Sequence, residues 1–326
     1  MNQPTIKEIR QAAERIRPFI HRTPVLTCSA LDRMCGAKLF FKCENFQKVG
    51  AFKIRGATNA VFSLDDEQAA RGIATHSSGN HAAAVAQAAR WRATRAYVVM
   101  PSNSPQVKKD AVAEYGAEIS FCEPTLPARE EGLARVIERT GAAFVHPYND
   151  YRVIAGQGTA ALELCEDVPD LDVVMTPVGG GGLLSGTALV VSALLPQARV
   201  VAAEPKGADD AYRSLQAGKI IPSVQPNTIA DGLLTSLGEL TFPIIARHVE
   251  EIMTVGEDEI VRAMRVIWER IKIVVEPSAA VPLGALLGGG EEFAGRRVGI
   301  ILSGGNVDLG NLPWKEGGTL MNADGR

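Results

Sequence analysis

The sequence predicts an α/β fold with parallel sheets buried beneath helices, and three observations carry that reading. Short apolar runs alternate with helical patterns along the chain, the signature of parallel strands joined by crossover helices. The runs are continuously apolar, as strands covered on both faces must be. The segments richest in Gly, Ser and Asn stand just after the runs, where open α/β sheets bind ligands.

In order, Leu39–Lys42 reads as a strand, Gly56–Leu64 as a helix and Ile73–His76 as a strand leading into the Ala-rich helix His81–Trp91. Ala96–Met100 (strand), Pro105–Tyr115 (helix), Glu118–Phe121 (strand), Arg129–Arg139 (helix) and Ala143–Val145 (strand) follow. The second half repeats the rhythm with strand Val173–Thr176, helix Leu183–Leu195, strand Arg199–Ala203 and helix Ala208–Ala217. Val255–Arg270 reads as a helix with a polar start, and Val298–Leu302 as a buried strand.

Composition narrows the function classes. The 326 residues are 46% hydrophobic and 22% charged, a globular balance long enough for about two domains. A formal charge of −3, mixed along the chain, gives no electrostatic case for nucleic acid or an anionic membrane. Lys7, Glu8 and Arg10 interrupt the first ten residues, so no signal peptide is expected, and apolar stretches such as Ala188–Leu195 are too short to span a bilayer. The five cysteines, Cys28, Cys35, Cys43, Cys122 and Cys165, are odd in number and not closely paired. They are expected to be reduced thiols in a cytoplasmic protein.

Four strand-end segments carry the chemistry. Gly179-Gly180-Gly181-Gly182 opens the helix at Leu183. Four glycines let backbone N–H groups converge on a phosphate at a helix N-terminus, whereas a plain turn needs one or two. The spacing fits Gly-x-Gly-x-x-Gly poorly and no Gly-Lys-Ser/Thr follows. With Glu204 about 20 residues on, a non-catalytic nucleotide-binding protein remains a distant rival. Ser77-Ser78-Gly79-Asn80-His81 gathers hydroxyl and amide donors at a second helix start, a setting for a carboxylate; a bare Ser N-cap accounts for only part of it. Lys53 stands between Phe52 and Ile54, where desolvation disfavours the ammonium and leaves a usable amine nucleophile. Ser303-Gly304-Gly305-Asn306 follows the last strand.

Together these residues resemble a family. Asn45–Ala57, reading Asn-Phe-Gln-Lys-Val-Gly-Ala-Phe-Lys-Ile-Arg-Gly-Ala, is similar to the lysine motif of fold-type II pyridoxal phosphate (PLP) enzymes, in the threonine/serine dehydratase and serine racemase group. The other three segments match that group's next signatures in order, as do Gly156-Gln-Gly-Thr159 and Val275-Glu-Pro-Ser278. The resemblance runs from His21-Arg-Thr-Pro24 to Asp308. It implies two open, mostly parallel twisted sheets flanked by helices, with the cofactor between a large domain (1–52 and 147–326) and a small mobile domain (53–146).

The resemblance also implies roles. Lys53 would bind the cofactor as a Schiff base and move the Cα proton. Phe52 would pack beside the ring, Asn80 would bond its 3′-oxygen, and Gly179, Gly180, Gly181, Gly182 and Leu183 would cradle its phosphate. Ser303 would face the pyridine nitrogen; a neutral hydroxyl there makes a weaker electron sink and favours prompt expulsion of a β-hydroxyl. Ser77, Ser78, Asn80 and His81 would hold the substrate carboxylate, with Arg129 a second carboxylate-side residue. Ser78, where threonine dehydratases usually carry Ala, keeps serine racemisation open. Glu204, the Ala208 carbonyl and Asp210 resemble a divalent-cation site for Mg²⁺, Ca²⁺ or Mn²⁺; read without the resemblance, these acids belong to a strand end and a first helical turn.

The expected activity is ammonia-lyase dehydration of a β-hydroxy-α-amino acid, L-threonine, L-serine or a bulkier one such as phenylserine, with a racemase or mixed enzyme as the alternative. Ala83, where relatives often carry Gln, is the residue that would admit the bulkier side chain, though Ala is also an ordinary helix former. A homodimer is expected by family analogy. His21, His146 and His248 are read as structural.

Overall fold

The computed structural model describes residues 3–104 and 106–314. Among these residues ten strands form two sheets. They are β1 Val25–Leu26, β2 Lys38–Cys43, β3 Ile73–His76, β4 Ala96–Pro101, β5 Glu118–Cys122, β6 Ala143–Phe144, β7 Val173–Pro177, β8 Arg199–Pro205, β9 Glu251–Val255 and β10 Arg297–Leu302. The larger sheet has the order β1-β2-β10-β7-β8-β9 and the smaller β5-β4-β3-β6. Every pairing is parallel except β1 with β2, as the apolar runs predict.

Residue chemistry explains the placement. Every residue of β4 and β7 is buried, so both lie inside their sheets. In β5, Glu118 and Phe121 are exposed, as an edge strand allows. The expected strand Val298–Leu302 pairs in register with both β2 and β7, which brings Ser303 beside the Lys53 segment. Two expectations need correction. Val255 ends β9, and the helix begins at Glu257, because the first-turn acids Glu257, Asp258 and Glu259 sit best at a helix N-terminus. Helix Gln106–Glu114 occupies most of the expected Pro105–Tyr115; Pro105 lies outside the described residues.

Helices Ile6–Ile16, Ser29–Cys35, Asp66–Ala70, Tyr151–Asp167, Phe242–His248 and Pro277–Gly289 have no counterpart among the elements expected from the sequence. Tyr151–Asp167 is capped by Asp150, whose side chain accepts from the Arg152 N–H at 2.8 Å. Its Gly156 and Gly158 exist for close packing. A Cβ on Gly156 would stand 2.6 Å from the Arg55 carbonyl oxygen and from Gly56 Cα, and one on Gly186 would stand 2.5 Å from Gly158 N. The helix therefore touches backbone to backbone with Lys53–Phe62 on one side and Gly182–Leu194 on the other. Pro277–Gly289 is apolar all round and buried from Ser278 to Leu286.

Helix Lys53–Phe62 sits between the two sheets' layers. Ile54, Ala57, Ala60 and Val61 pack with Ala84, Val85, Ala88 and Val153. A buried ion network fastens it from the larger-sheet side: the Arg55 guanidinium donates to Glu44 at 2.7 and 2.8 Å and to Glu163 at 2.8 Å, while Lys42 donates to Glu163 at 2.6 Å. Burial disfavours the Arg55 charge, yet the two carboxylates more than compensate and hold its pKa above the ordinary value. The five cysteines are free thiols. Among the described residues no helix is long and apolar enough to cross a membrane.

Candidate active site

The strand-end segments meet where the two sheets face each other. The Phe52 N–H donates to the Ser303 carbonyl at 3.0 Å, the Gly305 N–H to the Gly50 carbonyl at 2.9 Å, and Ala51 bridges Gly304. These bonds zip the lysine segment to the segment after β10 and place buried Ser303 beside it. Gly50 has φ +69° with the Asn306 amide against it, a position that suits only glycine.

Lys53 opens its helix with Nζ donating to the Pro147 carbonyl at 3.0 Å and lying 5.2 Å from the Phe52 ring centroid. Burial brings the lysine pKa down to about 8, against the opposing pull of Glu276. About a tenth of the amine is therefore free at pH 7.

At the second helix start, Ser77 Oγ accepts from the Gly79 N–H at 3.2 Å, and Ser78 stands exposed. The Asn80 amide is fixed at both ends. Its Nδ2 donates to Glu276 at 2.9 and 3.2 Å, and its Oδ1 accepts from Asn306 Nδ2 at 3.0 Å. Glu276, raised to about 7 by burial, is a partner the sequence reading left unassigned. The His81 ring turns inward, its Nε2 3.2 Å from the Val145 carbonyl and its Nδ1 buried without a partner. Burial holds its pKa well below the usual value, so the ring is neutral and its one proton belongs on Nε2, facing the carbonyl. What His81 offers a carboxylate is its backbone N–H at the helix start.

The glycine loop forms the N-terminal end of its helix. Gly181 has φ +86° and caps Gly182–Leu194. A Cβ at Gly180 would collide with the Tyr148 ring, and one at Gly182 would lie 3.0 Å from Tyr148 Cβ. The Gly180 carbonyl accepts from Thr241 Oγ1 at 2.9 Å. This leaves a backbone-lined cradle at a helix N-terminus, which fits a phosphate. With a desolvated amine and a neutral hydroxyl nearby, these residues fit pyridoxal phosphate.

Residues 146–149 join the parts. Pro147 receives Lys53, Tyr148 packs on the glycine loop, and Asn149 Oδ1 accepts from the Leu240 N–H at 2.8 Å. Behind them stands a basic cluster. The His76 ring centroid lies 6.0 Å from that of His146, and that of His146 4.6 Å from that of Tyr148. Burial first, and then the nearby Arg129 charge, bring His76 down to about 4. His76 Nδ1 and Arg129 Nε are buried without hydrogen-bond partners.

The two expected metal carboxylates also come together. Glu204, at the end of β8, accepts from the Ala211 and Tyr212 N–H groups at 3.0 and 2.8 Å, and Ala208 is buried in the preceding turn. Asp210 is fully buried and its carboxylate oxygens lack a well-formed hydrogen bond. Burial raises Glu204 to about 8 and Asp210 to about 6. Two buried carboxylates, that of Asp210 without a well-formed hydrogen bond, fit a hard cation, although no group of three or more His, Cys, Asp or Glu residues gathers for one among the described residues.

Ala83, singled out as a trimmed pocket wall, lines a cavity of about 340 Å³ with Asn80, Val107, Lys108, Ala111 and Tyr115.

Comparison with known proteins agrees with this geometry. The model of the family "Pyridoxal-phosphate dependent enzyme" matches residues 16–304. The chain is 58% identical over 311 residues to β-hydroxyaspartate dehydratase of Paracoccus denitrificans (strain Pd 1222), covering 95% of this chain and 99% of that one. It superposes on maize serine racemase with a TM-score of 0.92 at 50% identity, covering 95% of each chain. For the threonine deaminase of T.th. the TM-score is 0.90 at 44% identity, covering 94% of this chain and 99% of that one. The chain belongs to the pyridoxal-phosphate-dependent enzymes, within their fold-type II serine/threonine dehydratase group.

Proposed function

We propose that the protein is an ammonia-lyase that dehydrates a β-hydroxy-α-amino acid to a 2-oxo acid and ammonia, and that the substrate side chain ends in a carboxylate, as in β-hydroxyaspartate. The observation that carries the side-chain reading is the basic cluster: His76 and Arg129 keep buried nitrogens without partners close to the turn that receives Lys53. A carboxylate supplies the missing acceptor for Arg129, whereas a methyl or phenyl group would leave it unpaired. The identity to a β-hydroxyaspartate dehydratase supports the same choice.

Lys53, Phe52, Asn80, Gly179–Gly182, Leu183 and Ser303 would hold the cofactor. When bound, pyridoxal phosphate draws the electrons of the Cα–H bond into its ring. The helix start Ser77–His81 binds and orients the substrate α-carboxylate with its hydroxyls and backbone N–H groups. Lys53, desolvated and part neutral, takes the Cα proton. Ser303 would offer a neutral hydroxyl to the cofactor's ring nitrogen, a weaker electron sink than a protonated ring would give, which would favour elimination. Ser78 offers a second proton site, so serine racemisation is the alternative reading. Residues 53–146 would form the small closing unit, and Glu204, Asp210 and the Ala208 carbonyl would bind Mg²⁺, Ca²⁺ or Mn²⁺. The five free thiols support a reducing, cytoplasmic setting. The assembly we propose is a homodimer, and a monomer seen by sedimentation at micromolar concentration would refute it.

The test is 2-oxo acid release from β-hydroxyaspartate, L-serine, L-threonine and L-threo-phenylserine, with a chiral assay for D-serine. The holoenzyme should carry a visible band that Lys53→Ala lacks. Arg129→Met should cut kcat/KM for β-hydroxyaspartate about 10- to 150-fold, the worth of one charged hydrogen bond, and leave serine turnover nearly intact. An equal loss on both substrates would sink the side-chain reading.

A further inference from the structure

The His146 imidazole is wired differently from the other histidines. Its Nδ1 accepts two backbone N–H groups, from Tyr148 at 3.2 Å and from Asn149 at 2.9 Å. A nitrogen that accepts twice carries no proton, so the ring proton sits on Nε2. Burial agrees, bringing His146 down to about 4, which leaves it neutral across the working range. The two amides belong to the residues just after Pro147, whose carbonyl is the acceptor for Lys53 Nζ at 3.0 Å. One ring thus closes the turn 146–149, within which Pro147 presents an oxygen to the reactive amine. Beyond that turn, Tyr148 packs on Gly180 and Gly182, so the turn's position also sets the wall of the phosphate cradle.

We propose that His146 is a positioning residue for Lys53: its Nδ1 pins the turn whose Pro147 carbonyl parks the lysine amine whenever that amine is free. The amine is free when it awaits the cofactor aldehyde and again when it handles the Cα proton. In both moments a fixed acceptor limits where Nζ can stand. A displacement of about 1 Å at such a group costs on the order of 100-fold in rate. The role is that of an acceptor and does not require the ring to exchange protons.

Two substitutions separate the ends of the ring. In His146→Asn the side-chain oxygen takes the place of Nδ1 and the tip is lost; in His146→Gln the tip is reached and the Nδ1 acceptor is lost. The readouts are the rate at which the visible band appears when PLP is added to cofactor-free protein, as the lysine amine condenses with the aldehyde and water leaves, and the separate kcat and KM of the loaded enzyme. H146N should stay within about threefold of wild type in both. H146Q should lose on the order of 100-fold in condensation rate and in kcat with KM moved far less. Melting of the cofactor-free variants checks that both are folded; if H146Q is not, H146N decides alone, and a loss beyond about tenfold in its condensation rate overturns the proposal. It is also overturned if the two variants are equally impaired, if both match wild type, or if H146Q outperforms H146N. The inference rests on Lys53 as the cofactor lysine. That reading fails separately, if Lys53→Ala still develops the band, and this proposal falls with it.

Discussion

Arg55→Met removes a guanidinium from the most buried charge network in the fold and keeps the apolar stem. Arg55, Lys42, Glu44 and Glu163 contribute two charges of each sign, so the variant leaves one uncompensated negative charge inside. Arg55 and Glu44 side chains are 0% exposed and Glu163 is 12% exposed, so solvent screens little. Lys42 still holds Glu163 at 2.6 Å. The loss therefore concentrates on Glu44, whose remaining partner is the Thr23 hydroxyl at 2.6 Å. Removing one partner of a buried pair costs about 3–5 kcal/mol, and that is the expected drop in urea unfolding followed by far-UV circular dichroism at pH 7. The pH dependence has a definite sign. Burial pushes the Glu163 carboxyl up, but Arg55 and Lys42 outweigh it and hold the folded value below 4.5. The stability this supplies is complete above 4.5 and fades as pH falls through the folded value. The gap between wild type and R55M must narrow in acid. A gap below about 1 kcal/mol at pH 7, or one that widens as pH falls, refutes the reasoning. Arg55→Met combined with Glu44→Gln should recover part of the loss, since the orphaned charge is then gone.

Two further outcomes are expected. Gly180→Ala drives a methyl into the Tyr148 ring, which should cost about 1–3 kcal/mol in stability and weaken PLP uptake in an absorbance titration; unchanged cofactor affinity would count against the glycine loop as the phosphate cradle. Mg²⁺ should raise the melting temperature of the wild-type enzyme by about 2–4 °C and leave Asp210→Asn unmoved, and an equal rise in both would remove Asp210 from the cation site.

Much of this was readable along the chain because the chemistry sits at strand ends. Ile73–His76 agrees with the expected strand to the residue, since Gly72 on one side and Ser77-Ser78-Gly79 on the other leave little choice of bounds. The Gly179–Gly182 loop and the Ser77–His81 helix start were visible for the same reason. Helix Tyr151–Asp167 was not, because Gly156 and Gly158 argue against a helix until the backbones of its two neighbours are seen at contact distance. Pro277–Gly289 was hidden by Pro282 and by apolarity on every face, which erases helical periodicity. The grip of Glu276 and Asn306 on Asn80 spans 196 and 226 residues of chain, and local pattern cannot express such a contact. His146 read as structural because its role lies in two backbone amides, which have no sequence signature.

The backbone contacts at Gly156 and Gly158 have a geometric consequence for the cofactor. Lys53 heads one helix and the glycine loop heads another, and both helices are seated without intervening side chains on the same third helix. The two helix starts that would hold the aldehyde end and the phosphate end of the cofactor are thereby fixed to each other like the jaws of a calliper. Any movement of Ser78 and Asn80 against that frame would have no lever with which to change the spacing of those jaws.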